Sequence, residues 1–220
     1  MDGEFYAERI LRFLKTNKPY YAILNGNETR KGECLMISAE FANELKKLIE
    51  GDKQVASRPL VVGKPSDILS KCGANIDQDI TITKKVIDKA MRPEVRDEEG
   101  RMVGNTGHGL TEELIVKSLT ELDSPTLIFK GRQEGSILVI TSIEDQKDRN
   151  IVVAIEFNRQ EGFTQVNSIR SVYGRDNLDY FIGENVENGN LLAANKEKAD
   201  ELLRSIGKSY PKENTFISFS

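Results

Sequence analysis

The apolar positions of this chain switch to period two after Pro125. Before it they recur mostly at helical spacing, and after it four successive segments alternate with polar positions. Tyr6, Ile10, Phe13 and Leu14 in EFYAERILRFLKTN predict a first helix, and YYAILNG a short strand that turns at Asn25-Gly26. Ser38 stands where it caps a second helix, AEFANELKKLIE. There Phe41, Leu45, Leu48 and Ile49 share a face and Gly51 ends the run. The polar, turn-rich GDKQVASRP marks a boundary. Residues 1–55 are read as an N-terminal helical extension and residues 56–220 as the main domain.

The main domain opens with a short helix, PSDILSKCG, between Pro65 and Gly73. ITIT reads as a strand, and Thr83 caps the helix KKVIDKAM, which Pro93 terminates. A long charged loop follows, RPEVRDEEGRMVGNTGHG, with a turn at Glu99-Gly100. Thr111 then caps EELIVKSLTELD. Beyond Pro125, TLIFKG, SILVITSI, NIVVAIEFN and QVNSIRSVYG read as four strands joined by short turns, hence an antiparallel meander. GNLLAAN is a fifth strand, Asn195 caps KEKADELLRSI, and TFISF is a last strand. Helices first and a meander later predict an α+β fold with helices packed on one face of the sheet.

The N-terminus is acidic and lacks the basic and apolar regions of a secretory signal, and no apolar run is long enough to span a membrane. Two isolated cysteines, Cys34 and Cys72, fit a reducing cytoplasm. With one histidine and no clustered cysteines, a zinc site is not expected; a magnesium site built only from carboxylates stays open, though no D-x-D-type cluster stands out, and no nucleotide-binding fingerprint is present. The net charge of −4 argues against binding a DNA duplex, but not against an enzyme that touches one or two phosphates.

The single histidine, His108, sits between two glycines just before a helix start. The glycines let the backbone approach a ligand, and the helix N-terminus favours neutral imidazole, the form a general base needs. The alternative is a solvent-exposed loop histidine. In QVNSIRSVYG, strand alternation places Asn167, Ile169, Ser171 and Tyr173 on one face, a polar row that either lines a cleft or faces water. Lys84, Lys85, Lys89, Arg92, Arg96 and Arg101 precede His108, interleaved with acidic residues as on a salt-bridged surface.

The stretches VGKPSDILSKCGANIDQDITITKKVIDKAMRPE, GRMVGNTGHGLTEE and VNSIRSVYGRDN, with GNLLAANKEKADELL and YPKENTFISF after them, resemble the C-terminal domain of Mu F-type phage head-morphogenesis and polyvalent proteins. The resemblance runs over about residues 60–220. It implies the superfamily that groups barnase, EndoU, colicin tRNases and RelE: metal-independent ribonucleases with helices on an antiparallel sheet. His108 matches the family histidine before the helix, and Ser171 and Tyr173 match the S-V-Y strand.

The leading expectation is a metal-independent endoribonuclease of phage or mobile-element origin, a toxin-like effector that needs no cofactor. His108, Ser171 and Tyr173 would be its catalytic residues. Lys89, Arg92, Asn167, Arg170 and Arg175 would contact the nucleic acid. Its partners would be RNA such as tRNA, and an immunity or virion protein, with no membrane. Its location would be the cytoplasm, the virion or a target cell. The rival is a non-catalytic virion-associated or protein-binding domain of the same fold. A third reading, an NAD-dependent ADP-ribosyltransferase, would use Glu156.

Overall fold

The computed structural model describes residues 22–24, 39–101, 103, 104 and 106–208. Strands β1 (Ala22–Leu24), β2 (Leu60–Gly63), β3 (Ile80–Ile82), β4 (Leu127–Lys130), β5 (Ser136–Glu144), β6 (Asn150–Glu161), β7 (Thr164–Gly174) and β8 (Leu191–Asn195) form one sheet. Its order is β1-β8-β4-β5-β6-β7-β3-β2. The run β4-β5-β6-β7 is antiparallel throughout, as the short turns require. At its flanks β3 lies parallel to β7, and β1 parallel to β8.

Seven α-helices are described: α1 (Ala39–Ile49), α2 (Lys53–Ala56), α3 (Asp67–Lys71), α4 (Lys84–Met91), α5 (Glu112–Thr120), α6 (Leu178–Glu187) and α7 (Lys196–Lys208). Local chemistry sets several of their starts. The Asp52 carboxylate accepts from the N–H groups of Gln54 and Val55, at 2.8 and 3.2 Å. Thr111 Oγ1 accepts from Leu114 N at 3.3 Å, and Asn195 Oδ1 from Lys198 N at 3.2 Å. Each bond satisfies an amide that the helix leaves without an intrahelical partner.

The structure is α+β, but helices cover both faces of the sheet. On β6, Ile151 and Val153 belong to one buried cluster and Val152 to another. On β4, Ile128 belongs to the first, Leu127 and Phe129 to the second. Neighbours on a strand point to opposite faces, so the sheet has two cores. The first takes its helical share from Phe41, Leu45 and Leu48 of α1, Ile68 and Leu69 of α3, Ile87 of α4, and Ile115 and Leu119 of α5. The second takes Leu178, Phe181, Ile182 and Val186 of α6 and Ala199, Leu202 and Leu203 of α7. The sequence pattern predicts helices on one face only; α6, not among the predicted elements, covers the second face together with α7. Its apolar residues at 178, 181, 182 and 186 do carry helical spacing. The edge strand β2 was also missed. It is four residues long and carries one exposed valine, Val61. The first expected helix and the strand TFISF lie outside the described residues.

Strand β7 carries an irregularity that decides which side chains share a face. Ala154 pairs with Ser171, but the next residue, Ile155, pairs with Ile169. Arg170 is thus an extra residue, a β-bulge, and alternation restarts after it. Ile169 and Val172 both enter the first core, whereas Tyr173 packs against the second. The expected row of Asn167, Ile169, Ser171 and Tyr173 is therefore broken. Asn167 and Ile169 face one way, Ser171 and Tyr173 the other.

Candidate functional site

Helix α4 follows β3 and packs against β7. The loop after it doubles back onto its C-terminal end. His108 N donates to the Lys89 carbonyl at 3.1 Å, Leu110 N to Ala90 at 2.9 Å, Gly109 N to Arg92 at 2.8 Å and Gly107 N to Pro93 at 3.2 Å. Thr106 Oγ1 accepts from Val95 N at 2.6 Å. These bonds fix the backbone on both sides of the imidazole. The two glycines are needed for different reasons. A Cβ on Gly107 would overlap the Arg92 carbonyl oxygen, and Gly109 has φ +68°, a left-handed conformation that favours glycine.

So held, His108 lies beside Tyr173 at the end of β7. The ring centroids are 5.5 Å apart and the planes are tilted by 39°. Beyond Ile169, β3 no longer pairs with β7, and this open stretch of edge is where the histidine approaches. Ser171 is two residues back on the same face as Tyr173, about 7 Å by the rise of a strand. Both are half-buried. His108 Nε2 is buried and has no hydrogen-bond partner among the described residues.

Burial pushes the His108 pKa down to about 4. The positive charges of Lys89 and Arg149 push the same way, and Glu94 opposes them. The neutral form expected from the sequence is therefore present, but the cause is desolvation and two cations. The depression also goes well below the near-neutral value expected of a general base. At neutral pH the imidazole is a proton acceptor with an unengaged nitrogen.

An ion-pair cluster that the sequence reading did not single out stands next to it. Arg149 Nη2 meets Glu94 at 2.7 Å and Asp145 at 2.6 Å, and Nη1 meets Asp176 at 3.2 Å. Arg149 Nε donates to Asp145 at 2.8 Å. Glu94 also takes Lys147 at 3.0 Å and Arg96, and Arg96 reaches Asp176 at 2.8 Å. Burial alone would raise the Glu94 carboxyl. The hydrogen bonds from Arg149, Lys147 and Arg96 outweigh it and hold the pKa near 2. Asp145 and Arg149 are close in sequence, as are Glu94 and Arg96, but Glu94 and Arg149 are 55 positions apart and Arg149 and Asp176 27, so spacing could not reveal how the pieces join.

The other expected site residues are dispersed. Lys89 is exposed at the end of α4, close enough to act on His108 electrostatically. Arg92 is exposed, and its backbone seats Gly109. Asn167 is fully buried. Its amide nitrogen donates to the carbonyls of Asn75 and Gln78, at 3.0 and 3.1 Å, on the face away from Tyr173. Arg170 pairs with Glu156 at 3.3 Å, and Arg159 meets the same carboxylate at 2.6 Å. Glu156 is thereby engaged by two arginines. Arg175 stacks over the Phe181 ring, 4.1 Å from its centroid.

Among the described residues, no group of three His, Cys, Asp or Glu side chains could hold a metal ion, and no helix is long and apolar enough to cross a membrane. Residues 102–201 match the family model described as the phage MuF C-terminal domain. The match includes His108, Arg149, Ser171 and Tyr173 and begins after Lys89 and Glu94. No curated protein and no solved structure matches the chain.

Proposed function

We propose that the protein is a metal-independent endoribonuclease of phage or mobile-element origin, a toxin-like effector built on the barnase–EndoU–colicin–RelE plan. The observation that carries this reading is the neutral His108, its Nε2 unengaged, set against Tyr173. In the reaction Nε2, buried in the free protein, is uncovered as RNA binds and accepts the proton of a 2′-hydroxyl as that oxygen bonds to phosphorus. The bond to the 5′-oxygen breaks, leaving a 2′,3′-cyclic phosphate. The hydroxyls of Ser171 and Tyr173 orient the phosphate and relay to the leaving oxygen the proton that Nε2 has taken up, which returns the imidazole to its neutral form. Lys89, exposed beside His108, supplies positive charge to the crowded phosphate, with Arg92 one turn beyond it. A bound phosphate also makes the imidazolium formed during the step more favourable, because opposite charges within a few ångströms raise a histidine's basicity.

A second reading is a non-catalytic, virion-associated domain. It is favoured by the match to the phage MuF C-terminal domain and by the pairing of Arg96, Lys147 and Arg149 with carboxylates, which leaves their positive charge compensated close to His108. Incubation of purified protein with total RNA and with tRNA separates the two. The enzyme gives fragments ending in a cyclic phosphate, and the virion component leaves the RNA intact.

A further inference from the structure

We propose that Glu94 is a positioning residue: through Arg149 it ties the loop that carries His108 to the strand end that carries Tyr173. Its catalytic consequence rests on the ribonuclease reading, but its structural content does not.

The backbone bonds that seat His108 all run to residues 89–93, that is, to the same segment of chain. They seat the loop on α4, which packs against β7, and Leu110 is buried in the first core with Ile169 and Val172. The ion-pair cluster adds a tie at the strand's far end, where Tyr173 lies. Glu94 is next to Pro93, whose carbonyl takes Gly107 N. Its carboxylate holds Arg149, in the turn between β5 and β6. Arg149 in turn holds Asp145, whose carboxylate lies so close to Gly174 that a Cβ there would overlap it. Gly174 directly follows Tyr173. Asp176, just beyond, takes both Arg149 and Arg96. Three separate pieces of chain are thus clamped around one guanidinium.

The geometry of burial makes the clamp stiff. The side chains of Glu94, Asp145 and Arg149 are 4%, 1% and 10% exposed. Neutralising Glu94 leaves Arg149 paired with Asp145 and Asp176, so what is lost is the tie of the loop to the strand end, not the charge balance of the guanidinium. The same geometry denies Arg149 a role as a phosphate ligand, because its Nε, Nη1 and Nη2 are all directed at carboxylates.

Four groups face His108: Lys89 from α4, Glu94 from the loop, Arg149 from the β5–β6 turn and Tyr173 from β7. This gives the proposal a test with a sign. If Glu94 acted on His108 only through its charge, neutralising it would lower the histidine's titration midpoint further. If Glu94 holds the loop in its seat, neutralising it lets the imidazole reach water, and the midpoint rises from about 4 towards 6.5.

His108 is the sole histidine, so its imidazole carbon-bound protons give a single titrating set in an NMR spectrum of the full chain. Wild type, Glu94→Gln and Arg149→Lys are titrated, and nuclear Overhauser contacts between the His108 and Tyr173 rings are recorded. Wild type is expected to show the contact and a midpoint well below 6.5. Both variants are expected to lose the contact and shift the midpoint up by at least one pH unit. A retained contact with an unchanged or lower midpoint in either folded variant overturns the proposal, as does absence of the contact in wild type. If Glu94→Gln does not fold, Arg149→Lys is read by the same criteria, since it keeps the charge and loses only the fork. If neither folds, the contact is followed in wild type through acid titration. Persistence of the contact after Glu94 has protonated in the folded protein overturns the proposal, and its loss together with that protonation supports it. RNA is absent from all these measurements, so their failure is distinct from failure of the ribonuclease reading. Where cleavage is measured, Glu94→Gln is expected to lower kcat about 100-fold with little change in KM, as for a misplaced catalytic group.

Discussion

His108 and Tyr173, distant in the chain, stand with ring centroids 5.5 Å apart at the open edge of β7. Two local features create the relationship. The glycine pair lets the loop fold onto α4, and the bulge at Arg170 turns Ser171 and Tyr173 away from the face of Ile169. Without the bulge, Tyr173 would point into the first core with Ile169, and no cleft partner would remain for the histidine.

Loss of the two hydroxyls is therefore expected to affect turnover more than folding. Ser171→Ala and Tyr173→Phe each remove one oxygen from a half-buried surface and keep the packing carbons. Turnover on RNA should fall about 100- to 1000-fold for a lost transition-state hydrogen bond. Stability should change by less than about 0.5 kcal/mol. Cleavage rates and melting curves of the two variants check both halves. Normal cleavage with a lowered melting temperature would assign the hydroxyls a structural part.

His108 and Glu94 carry the largest downward shifts in the acid range, and Asp176, Asp97 and Glu113 are shifted down with them. The folded-state pKa of His108, about 4, is below its ordinary 6.5, so the unfolded chain binds the extra proton first. Stability is lost as pH falls from 6.5 towards 4. Glu94, held near 2 against an ordinary 4.5, adds a second loss as pH falls from 4.5 towards 2. Melting temperature against pH should thus decline in two stages. His108→Gln should remove the first and leave the second. On the ribonuclease reading, the acid limb of kcat/KM should sit near pH 4, since that parameter reports the free protein's groups. A limb near 6.5 would show an imidazole exposed to water.

Gly107→Ala tests the loop. The added methyl must displace the Arg92 backbone, which also receives Gly109 N. Destabilisation of about 1–3 kcal/mol is expected, as for overpacking elsewhere. The His108–Tyr173 ring contact should be lost in what remains folded. An unchanged melting temperature would mean that the segment has room to yield.

Much of this fold was legible in the sequence because its determinants are local. Alternation in NIVVAIEFN and QVNSIRSVYG gave the meander, and capping residues such as Thr111 and Asn195 gave helix starts. The exceptions have physical causes. Helix α6 starts at Leu178 after Asn177, a favoured N-cap residue type whose side chain makes no cap bond and whose φ is +50°, so the signal that stands in the sequence is not the contact that holds the helix start. The bulge at Arg170 depends on how β6 and β7 register, which a single strand does not encode. His108 was recognisable from its glycines and from the resemblance. Glu94, Arg149 and Asp176 were not, because charges separated in sequence reveal their pairing only when the chain is folded.

The most direct test of the central claim compares wild type with His108→Ala on RNA in excess EDTA, with the fragment ends identified by mass spectrometry. The ribonuclease account predicts wild-type fragments carrying 2′,3′-cyclic phosphates. It also predicts cleavage at least about 100-fold slower in the variant, the usual contribution of a positioned acid-base group. Intact RNA with wild type, or equal cleavage by both proteins, would contradict it.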